Sequence, residues 1–276
     1  MITEHEQIRQ ESAQLEVALS ELRVNDYDSI AGVFNVAMGF DFSRITFEPT
    51  LNAIASGFRL RNTIRHLDLA CGTGLFICKL SQSVPAESIG IDLSAAQIRQ
   101  AETLASFQQV PAKFIVGDIR TTPFPEGIDL ITCNFDSLNH ITNLNDWRIL
   151  FQKIRCALRR GGMFLFDINL PERLISNWSV PEVIVKPQLT YVQCGLDPEE
   201  HHEFVRRKIF VQVFSTSSKC YECSAALIEQ MSVPKTRLYS LLLEAGFSEV
   251  QEQMIGDDLR RQHLFMRNRL FTLARS

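Results

Sequence analysis

The sequence predicts an α/β fold, a doubly wound and mostly parallel sheet of seven strands that carries an antiparallel β insertion. From residue 64 onward, short apolar segments alternate with amphipathic ones, which predicts parallel strands joined by right-handed helical crossovers. After Pro171 this alternation stops, and four apolar segments follow one another without an intervening helix. A helix and two further strands near the C-terminus are then expected to close the sheet.

The predicted strands are short apolar runs bounded by polar, Gly or Pro residues. Those of the main sheet are Ile64–Ala70, Ser88–Leu93, Ala112–Val116, Ile128–Cys133, Met163–Ile168, Val250–Ile255 and His263–Arg267. Those of the insertion are Val183–Val185, Leu189–Cys194, Phe204–Phe214 and Tyr221–Met231. Because the insertion strands are consecutive, they are expected to pair as an antiparallel sheet of their own.

Helices are predicted from apolar spacing and from capping residues. Leu75–Leu80 follows a Gly turn, and Ser94 with Gln97 forms a capping box that opens a helix to about residue 107. The clearest amphipathic helix has apolar residues at i, i+3, i+4, i+7 and i+11, namely Trp147, Leu150, Phe151, Ile154 and Leu158. Gly161-Gly162 is expected to stop it. Further helices are predicted over 4–23 and over Ser232–Ala245.

Composition and charge exclude several classes of protein. The chain has 276 residues, 45% hydrophobic and 22% charged, which is ordinary globular usage. Its net charge of -4 disfavours nucleic acid as a partner, because binding to phosphates usually needs a basic excess. No apolar run approaches the roughly 20 residues that cross a bilayer. A polar N-terminus and seven dispersed cysteines favour a cytoplasmic protein without a membrane partner.

Three carboxylates follow three successive predicted strands. Asp68 ends the first strand and precedes a turn with two glycines, whereas Asp92 and Asp118 end the second and third. Ligands bind at the carboxyl ends of strands in open α/β sheets, and glycines let the backbone approach a ligand closely. A carboxylate at Asp92 can accept both hydroxyls of a ribose, and one at Asp118 can accept from an adenine amino group. The three acids therefore predict a nucleoside site.

These residues resemble the class I methyltransferases that use S-adenosyl-L-methionine, with Ala70 in place of the usual first glycine of the turn. The resemblance implies a Rossmann-like methyltransferase fold. It also implies that Gly72 and Gly74 line the methionine part of the cofactor, that Asp92 binds the ribose, and that Asp118 with Ile119 frames the adenine. The full set of expected cofactor-binding residues is Asp68, Ala70, Cys71, Gly72, Gly74, Asp92, Leu93, Asp118, Ile119, Asn134 and Phe135.

Three further segments are similar to methyltransferases that act on small molecules, in particular on aminosugars. They are 27–42, Phe135–His140 and Phe166–Asn169. The resemblance implies an N-terminal helical segment (1–60) over the cofactor site, a methyltransferase core (61–171 and 232–276) and the insertion (172–231) as a substrate lid. The Tyr-Asp pair usual in that group is Phe34-Asn35 here, so substrate identity does not follow from the resemblance.

The loop after the fourth strand is expected to face the transferred methyl group. It lacks the Asn/Asp-Pro-Pro-aromatic motif of amino-methylating nucleic-acid enzymes, which favours a small-molecule acceptor. His140 is the candidate general base, since an imidazole titrates near pH 6.5, about 6.5 being its reference pKa. Tyr27 is a candidate for orienting the acceptor or the cofactor. The structural alternatives are a histidine bonded to the backbone at a helix entry and an aromatic plug in the lid.

Other interpretations are weaker. A nicotinamide-dependent oxidoreductase needs a third glycine where this chain has Ile77. A silent cofactor-binding module that has lost catalysis stays open, and so does the choice between monomer and homodimer. No metal is expected, because the C-x-x-C pair at 220–223 lies in a predicted strand that points its thiols to opposite faces. The basic C-terminal residues Arg260, Arg261, Arg267 and Arg269 are interpreted as a solvated edge.

Overall fold

The structure is a computed structural model. It describes residues 27–29, 31, 35, 40–57, 63–176, 181–186, 189–196, 198–217, 220–252 and 269–276. The helix predicted over 4–23 lies outside the described residues, as do Arg260, Arg261 and Arg267.

The main sheet has seven strands and confirms the predicted α/β fold. They are β1 (Ile64–Leu69), β2 (Ala86–Asp92), β3 (Ala112–Val116), β4 (Ile128–Cys133), β5 (Leu158–Asn169), β11 (Glu249–Glu252) and β12 (Arg269–Arg275). The spatial order is β11-β12-β5-β4-β1-β2-β3, in which β1 to β5 run parallel and β12 is antiparallel to both of its neighbours. The carboxyl ends of β1, β2 and β4 therefore meet at one edge of the sheet.

Helices cover both faces of the main sheet. They are α1 (Phe40–Gly57), α2 (Leu75–Ser83), α3 (Ala95–Phe107), α4 (Leu144–Ala157), α5 (Pro171–Ser176) and α6 (Lys235–Glu244). The strands alternate their side chains between the two layers. Phe164 and Phe166 pack in the cluster that holds α4 and α6, whereas Met163 and Leu165 pack with α1 and α2. Two one-turn 3-10 helices, Tyr27–Ser29 and Ser137–His140, lie beside the strand ends.

The insertion forms a second, antiparallel sheet, as predicted. Its strands are β6 (Glu182–Lys186), β7 (Leu189–Gly195), β8 (Glu199–Glu200), β9 (Val205–Ser217) and β10 (Cys220–Ser232). The order is β10-β9-β7-β6, with β8 paired to β9. Ile209, Val211 and Val213 are buried on one face of β9, against the same cluster that Tyr27 contacts. The second sheet therefore packs next to the N-terminal segment.

The structure corrects two predicted boundaries. Helix α4 ends at Ala157, and Gly161-Gly162 lies inside β5 instead of stopping the helix. The pairing of β5 with β4 shifts register here, Gly161 has a φ of 74°, and a side chain at Gly162 would meet the carbonyl oxygen of Ile128 at 3.0 Å. The strand that pairs with β5 is Arg269–Arg275, whereas the predicted 263–267 lies outside the described residues.

Six cysteines are free thiols in the described part of the chain: Cys71, Cys78, Cys133, Cys156, Cys194 and Cys223. None of the helices described is both long enough and apolar enough to span a membrane.

Helix α4 offers a test of the packing between helix and sheet. Leu150 is fully buried against β4 and β5, whereas its neighbour Ile149 is 49% exposed. We expect Leu150→Ala to lower the free energy of unfolding by about 2–5 kcal/mol, because the removed atoms leave a cavity. Ile149→Ala is the matched control, expected to cost about 0.5 kcal/mol or less. Urea unfolding followed by circular dichroism measures both, and equal losses would contradict the assigned face of α4.

Candidate active site

The turn after β1 places main-chain groups and small side chains at the strand ends. Ala70, Gly72 and Gly74 all have left-handed backbones, with φ of 52°, 54° and 71°. Glycine adopts this conformation without strain, whereas a residue with a Cβ does so at a cost of roughly 1–2 kcal/mol. Ala70 therefore keeps the backbone conformation of the glycine it replaces and is held there by the surrounding turn.

Gly74 serves packing instead of lining the cavity. A Cβ at this position would lie 2.9 Å from the Cβ of Ala101 and 3.0 Å from the ring of Phe114. Gly74 caps α2 and lets this helix approach α3 and β3 closely. Among the expected cofactor-binding residues it is the one absent from the cavity wall described below.

Asp92 holds the turn in place through its carboxylate. Oδ2 accepts from the main-chain N–H of Gly72 at 2.8 Å, and Oδ1 accepts from the N–H of Ser94 at 2.9 Å. Burial raises the pKa of Asp92, and these two hydrogen bonds oppose the increase. A carboxylate has about four acceptor sites, so two remain for hydroxyl groups of a ligand. The predicted capping box is half formed, because Ser94 Oγ accepts from the N–H of Gln97 while Asp92 takes the N–H of Ser94.

Asp68 is a buried carboxylate at the end of β1. Its Oδ1 accepts a hydrogen bond from the Thr132 hydroxyl at 2.5 Å. Within the part of the chain that the structure describes, Oδ2 has no hydrogen-bond partner, and the residue lines the cavity. The pKa of Asp68 is raised to about 7, mainly by burial and further by the charge of Asp92. The hydrogen bond from Thr132 opposes this increase.

Asp118 lies at the far end of the cavity but is already paired. Both of its oxygens accept from the guanidinium of Arg120, with Nη2 at 2.6 Å from Oδ2. This pairing lowers the pKa of Asp118. An adenine amino group would therefore share Asp118 with Arg120, a partner that the sequence pattern did not indicate.

The N-terminal segment contacts the turn and α3. Asp28 accepts hydrogen bonds from the Ser94 hydroxyl and, at 3.1 Å, from the N–H of Ala96. The Thr73 hydroxyl donates to Asn35 Oδ1 at 2.6 Å. These bonds attach residues near Tyr27 to the N-terminal ends of α2 and α3, so one side of the cavity is built by the N-terminal segment.

Tyr27 and His140, predicted separately, lie in contact. The Tyr27 hydroxyl is 3.0 Å from His140 Nε2, and the two rings meet edge to face at 5.4 Å. Gln230 of β10 brings its amide nitrogen to 3.3 Å from the same Nε2. Burial lowers the pKa of His140, although Asp136 and a hydrogen bond with the Glu229 main chain oppose the decrease. His140 is therefore neutral at pH 7, and its Nε2 accepts from Tyr27.

The loop after β4 is held in a strained conformation. Phe135 and Asp136 have φ of 68° and 48°, which is costly for residues with side chains. Their main-chain N–H groups donate to the two oxygens of Asp167 at 2.7 and 2.9 Å. The loop leads directly into the 3-10 helix that ends at His140.

Arg269 corrects the interpretation of the basic C-terminus. Its side chain is 3% exposed, and its guanidinium pairs with Asp136 at 2.8 Å and with Asp167 at 2.6 Å. Strand β12 pairs with β5, so Arg269 reaches the loop from the neighbouring strand instead of lying at a solvated edge. Burial alone would lower the pKa of Arg269, but the two carboxylates raise it and make the guanidinium a fixed charge.

The strand ends enclose a cavity of about 520 Å³. This volume is in the range of ligand pockets, about 300–1,000 Å³. All predicted site residues other than Gly74 line it, which includes Tyr27 and His140. Polar lining residues outside the predicted set include Asn35, Thr46, Thr73, Gln97, Arg120, Ser137 and Thr142. Most of them lie in loops or on α1 and α3, where the local sequence does not show which side chains face a cavity.

One metal-binding arrangement is found among the described residues. His201, His202 and Glu203 could approach a common ion, but they lie in an exposed turn away from the cavity wall.

Comparison with known proteins agrees with this geometry. Residues 67–162 match the family described as "Methyltransferase domain". YqeM of Bacillus subtilis, provisionally named as a methyltransferase, is 27% identical over 194 residues, which cover 66% of this chain and 73% of YqeM. The solved structure of an S-adenosylmethionine-dependent methyltransferase from Clostridium acetobutylicum has a TM-score of 0.71 at 20% identity and covers 91% of this chain and 99% of its own.

A second structure is that of CalS10, an amino pentose methyltransferase from Micromonospora echinaspora, solved with S-adenosylmethionine bound. Its TM-score is 0.60 at 17% identity, with 83% of this chain and 91% of CalS10 covered. Residues 67–162 therefore match a methyltransferase domain, and the chain has the fold of methyltransferases that depend on S-adenosylmethionine.

The buried cluster around Arg269 is expected to be essential for stability. Arg269→Met leaves buried carboxylates without a counter-charge, which costs about 3–5 kcal/mol of unfolding free energy. Arg275→Met, on the same strand, breaks a partly exposed ion pair with Glu249 and is expected to cost about 1 kcal/mol or less. The free energies of unfolding of both variants and of the native protein are measured by denaturant unfolding at pH 7.

The loss in Arg269→Met is also expected to depend on pH. Burial raises the pKa of Asp167 and Arg269 opposes it, so removing Arg269 raises the folded-state pKa further above the unfolded value of about 3.9. A carboxyl pKa that is higher in the folded state destabilises the folded state at pH values above the unfolded-state pKa. The variant should therefore recover part of its loss between pH 7 and pH 4, relative to the native protein. A pH-independent loss would contradict the assignment of the effect to charge.

Proposed function

We propose that this chain is an S-adenosylmethionine-dependent methyltransferase that transfers a methyl group to a nitrogen or oxygen of a small molecule. The observation that carries the proposal is that one cavity is lined both by the strand-end carboxylates and by the Tyr27–His140 pair. The strand-end carboxylates are suited to bind a nucleoside that carries a positive charge. The Tyr27–His140 pair is suited to a nucleophile that must lose a proton.

The cavity residues fit the proposed cofactor. Gln97 Oε1 and Asn134 Nδ2 are buried without a partner among the described residues, and both side chains belong to the cavity wall. An unsatisfied acceptor and an unsatisfied donor are costly unless a ligand bonds to them. Asp92 offers acceptors for the ribose hydroxyls, Asp68 offers negative charge, and the glycine turn leaves room beside the backbone. These residues would hold S-adenosylmethionine.

When bound, the cofactor supplies an electrophilic methyl group on a sulfonium centre. The contribution of this chain is to position the acceptor and to receive its proton. Positioning can supply roughly 7–11 kcal/mol of the barrier in favourable cases. His140 is neutral at pH 7, and in the proposed reaction its Nε2 exchanges the hydrogen bond from Tyr27 for one from the acceptor. Tyr27 keeps its proton, since burial raises the pKa of its hydroxyl well above 10.

Charge on the cavity wall supports a small acceptor instead of a nucleic acid. The charged side chains of the described wall are four carboxylates, Asp28, Asp68, Asp92 and Asp118, and the cation Arg120. A phosphate backbone would be repelled by this excess, whereas an amine would be attracted. The structural likeness to an amino pentose methyltransferase is compatible with such an acceptor.

The proposal also includes the domain division, with an N-terminal segment (1–60) and the insertion (172–231) over the cavity of the core (61–171 and 232–276). The contacts of Tyr27 and Gln230 with His140 support it. We place the protein in the cytoplasm, as a monomer or homodimer without a nucleic-acid or membrane partner.

One observation favours a second candidate, a cofactor-binding module without catalysis. His140 Nε2 already contacts both Tyr27 and Gln230, so a base must give up an existing hydrogen bond. Release of S-adenosylhomocysteine with any member of a panel of amines and alcohols would reject the silent module. Absence of turnover with a bound cofactor would favour it.

Asp92 is expected to determine cofactor affinity. Asp92→Asn removes the negative charge that orders the main chain at Gly72 and Ser94, and it also removes one acceptor for the ribose. S-adenosylmethionine should therefore bind at least about tenfold more weakly. Glu87→Gln is the matched control, because Glu87 is exposed on the same strand. Isothermal titration gives both dissociation constants. Unchanged affinity in Asp92→Asn, or tight binding of NADH by the native protein, would overturn the site assignment.

His140 is expected to set the acid limb of the pH–rate profile. Its pKa is lowered, so at saturating S-adenosylmethionine kcat should fall only as pH drops below about 6.5 and the ring is protonated. His140→Gln should lower kcat by about 10²–10⁴ and remove this limb. Tyr27→Phe should retain the limb and change KM more than kcat. Persistence of the limb in His140→Gln would show that another group is the base.

A further inference from the structure

A chain of buried polar side chains connects three strands beneath the cavity. His66 on β1 is fully buried, with Nδ1 at 3.1 Å from Ser88 Oγ on β2 and Nε2 at 2.8 Å from Thr132 Oγ1 on β4. Thr132 in turn donates to Asp68 at 2.5 Å. Register explains the alignment, because His66 pairs with Ser88 and Asp68 pairs with Thr132 across the parallel strands.

The proton count fixes the direction of every bond in this chain. A threonine hydroxyl has one proton, and Thr132 gives it to the ionised Asp68. Thr132 Oγ1 can then only accept from His66, so the proton of the neutral imidazole must be on Nε2. Nδ1 is left as an acceptor and takes the proton of the Ser88 hydroxyl. Burial lowers the pKa of His66 to about 3, so the ring stays neutral at physiological pH.

Protonating Asp68 reverses the chain. An Asp68 O–H would donate to Thr132, Thr132 would donate to Nε2, and the ring would hold its proton on Nδ1 and donate to Ser88. The ionised and protonated forms of Asp68 therefore correspond to opposite tautomers of His66. Converting the second arrangement to the first releases one proton to solvent. The hydroxyl protons of Thr132 and Ser88 reverse their direction, and the ring loses its proton from Nδ1 and gains one on Nε2.

We propose that His66 is a positioning residue of the cofactor site, which acts through Thr132 to keep a hydrogen-bond donor on Asp68 and so favours its carboxylate form. This inference rests on the proposed function, in which Asp68 meets the positive charge of the cofactor. The ring does not line the cavity and takes no part in methyl transfer. Its role is to lower the pH at which Asp68 ionises and can bind the cofactor.

The other titratable groups around Asp68 are Asp92 from β2, Cys71 from the turn and Cys133 from β4. Burial raises the thiol pKa of Cys71 and Cys133, so both remain neutral. The negative charge of Asp92 opposes ionisation of Asp68. The hydrogen bond from Thr132 therefore favours the carboxylate form of Asp68, whereas burial and the charge of Asp92 favour the protonated form.

The test is titration calorimetry with S-adenosylhomocysteine between pH 5.5 and 7.5, where an α-amino group with a pKa of about 7.7–8.0 remains mainly positive. In the native protein we expect affinity to fall toward tenfold per pH unit below the pKa of Asp68. Thr132→Val removes the donor and should move this midpoint up by about one unit, which is roughly a tenfold loss at pH 6.5. Thr132→Ser keeps the donor and should restore the native profile.

His66→Phe should also move the midpoint of the affinity–pH profile up, because the Thr132 hydroxyl is then no longer oriented by a donor on the ring. The shift should be smaller than in Thr132→Val, because the hydroxyl is still present and can donate to Asp68. His66→Gln places an amide donor near the position of Nε2 and should reverse part of the shift. The pKa of Asp92 is also raised, so Asp92 contributes to the pH dependence of binding. Because the Thr132 hydroxyl bonds to Asp68, the difference between the two Thr132 variants reports on the Asp68 carboxylate.

Nitrogen-15 NMR of the native protein supplies a measurement that needs no variant. In the complex with S-adenosylhomocysteine, His66 should be the Nε2–H tautomer, and the Nδ1–H tautomer would overturn the proposal. A pH-independent affinity, or equal profiles for Thr132→Val and Thr132→Ser, would also overturn it and leave the proposed function intact. Failure of S-adenosylhomocysteine to bind at any pH would refute the proposed function and this inference together.

Discussion

The arrangement of the active site depends on the buried guanidinium of Arg269, which pairs with Asp136 and Asp167. Taking one cation and two carboxylates out of water is unfavourable, and their mutual attraction compensates only where the geometry is good and the other polar atoms are bonded. Here the remaining acceptor sites of Asp167 take the N–H groups of Phe135 and Asp136. The ion pair therefore stabilises two left-handed residues that would otherwise relax, and with them the orientation of the 3-10 helix that ends at His140.

The same cluster connects the second sheet to the core. Gln230 of β10 donates to Asp136, and Asn169 at the end of β5 bonds to both. Asn139 donates to the main-chain oxygens of Asn169 and Met231, which fixes the 3-10 helix between the two sheets. A shift of the second sheet would therefore be transmitted to His140 through Gln230. The insertion and the loop after β4 form one polar unit, although they lie far apart in the sequence.

The cavity wall contains three strand-end acids that differ in their surroundings. Asp92 orders the backbone of the glycine turn, Asp68 is kept near its ionisation point by burial and the Thr132 bond, and Asp118 is held ionised by Arg120. The sequence pattern placed all three at strand ends but treated them as equivalent ligands. Their protonation behaviour differs because it depends on neighbours from β4, from the turn and from the loop after β3, which a single strand does not reveal.

The sequence by itself determined the alternation of strands and helices from residue 64 to residue 169, the strand-end position of the acids, and the separate candidates Tyr27 and His140. Apolar periodicity and glycine placement are local properties, so they can be deduced from consecutive residues. Only the tertiary structure decided that Tyr27 contacts His140, that Gly161-Gly162 lies in a strand, and that Arg269 is a buried partner of the loop. These outcomes depend on which strands are neighbours in the sheet. The energy of a buried charge depends on groups brought to it across the fold, whereas the pattern that predicts a strand or a helix depends on the residues next to it.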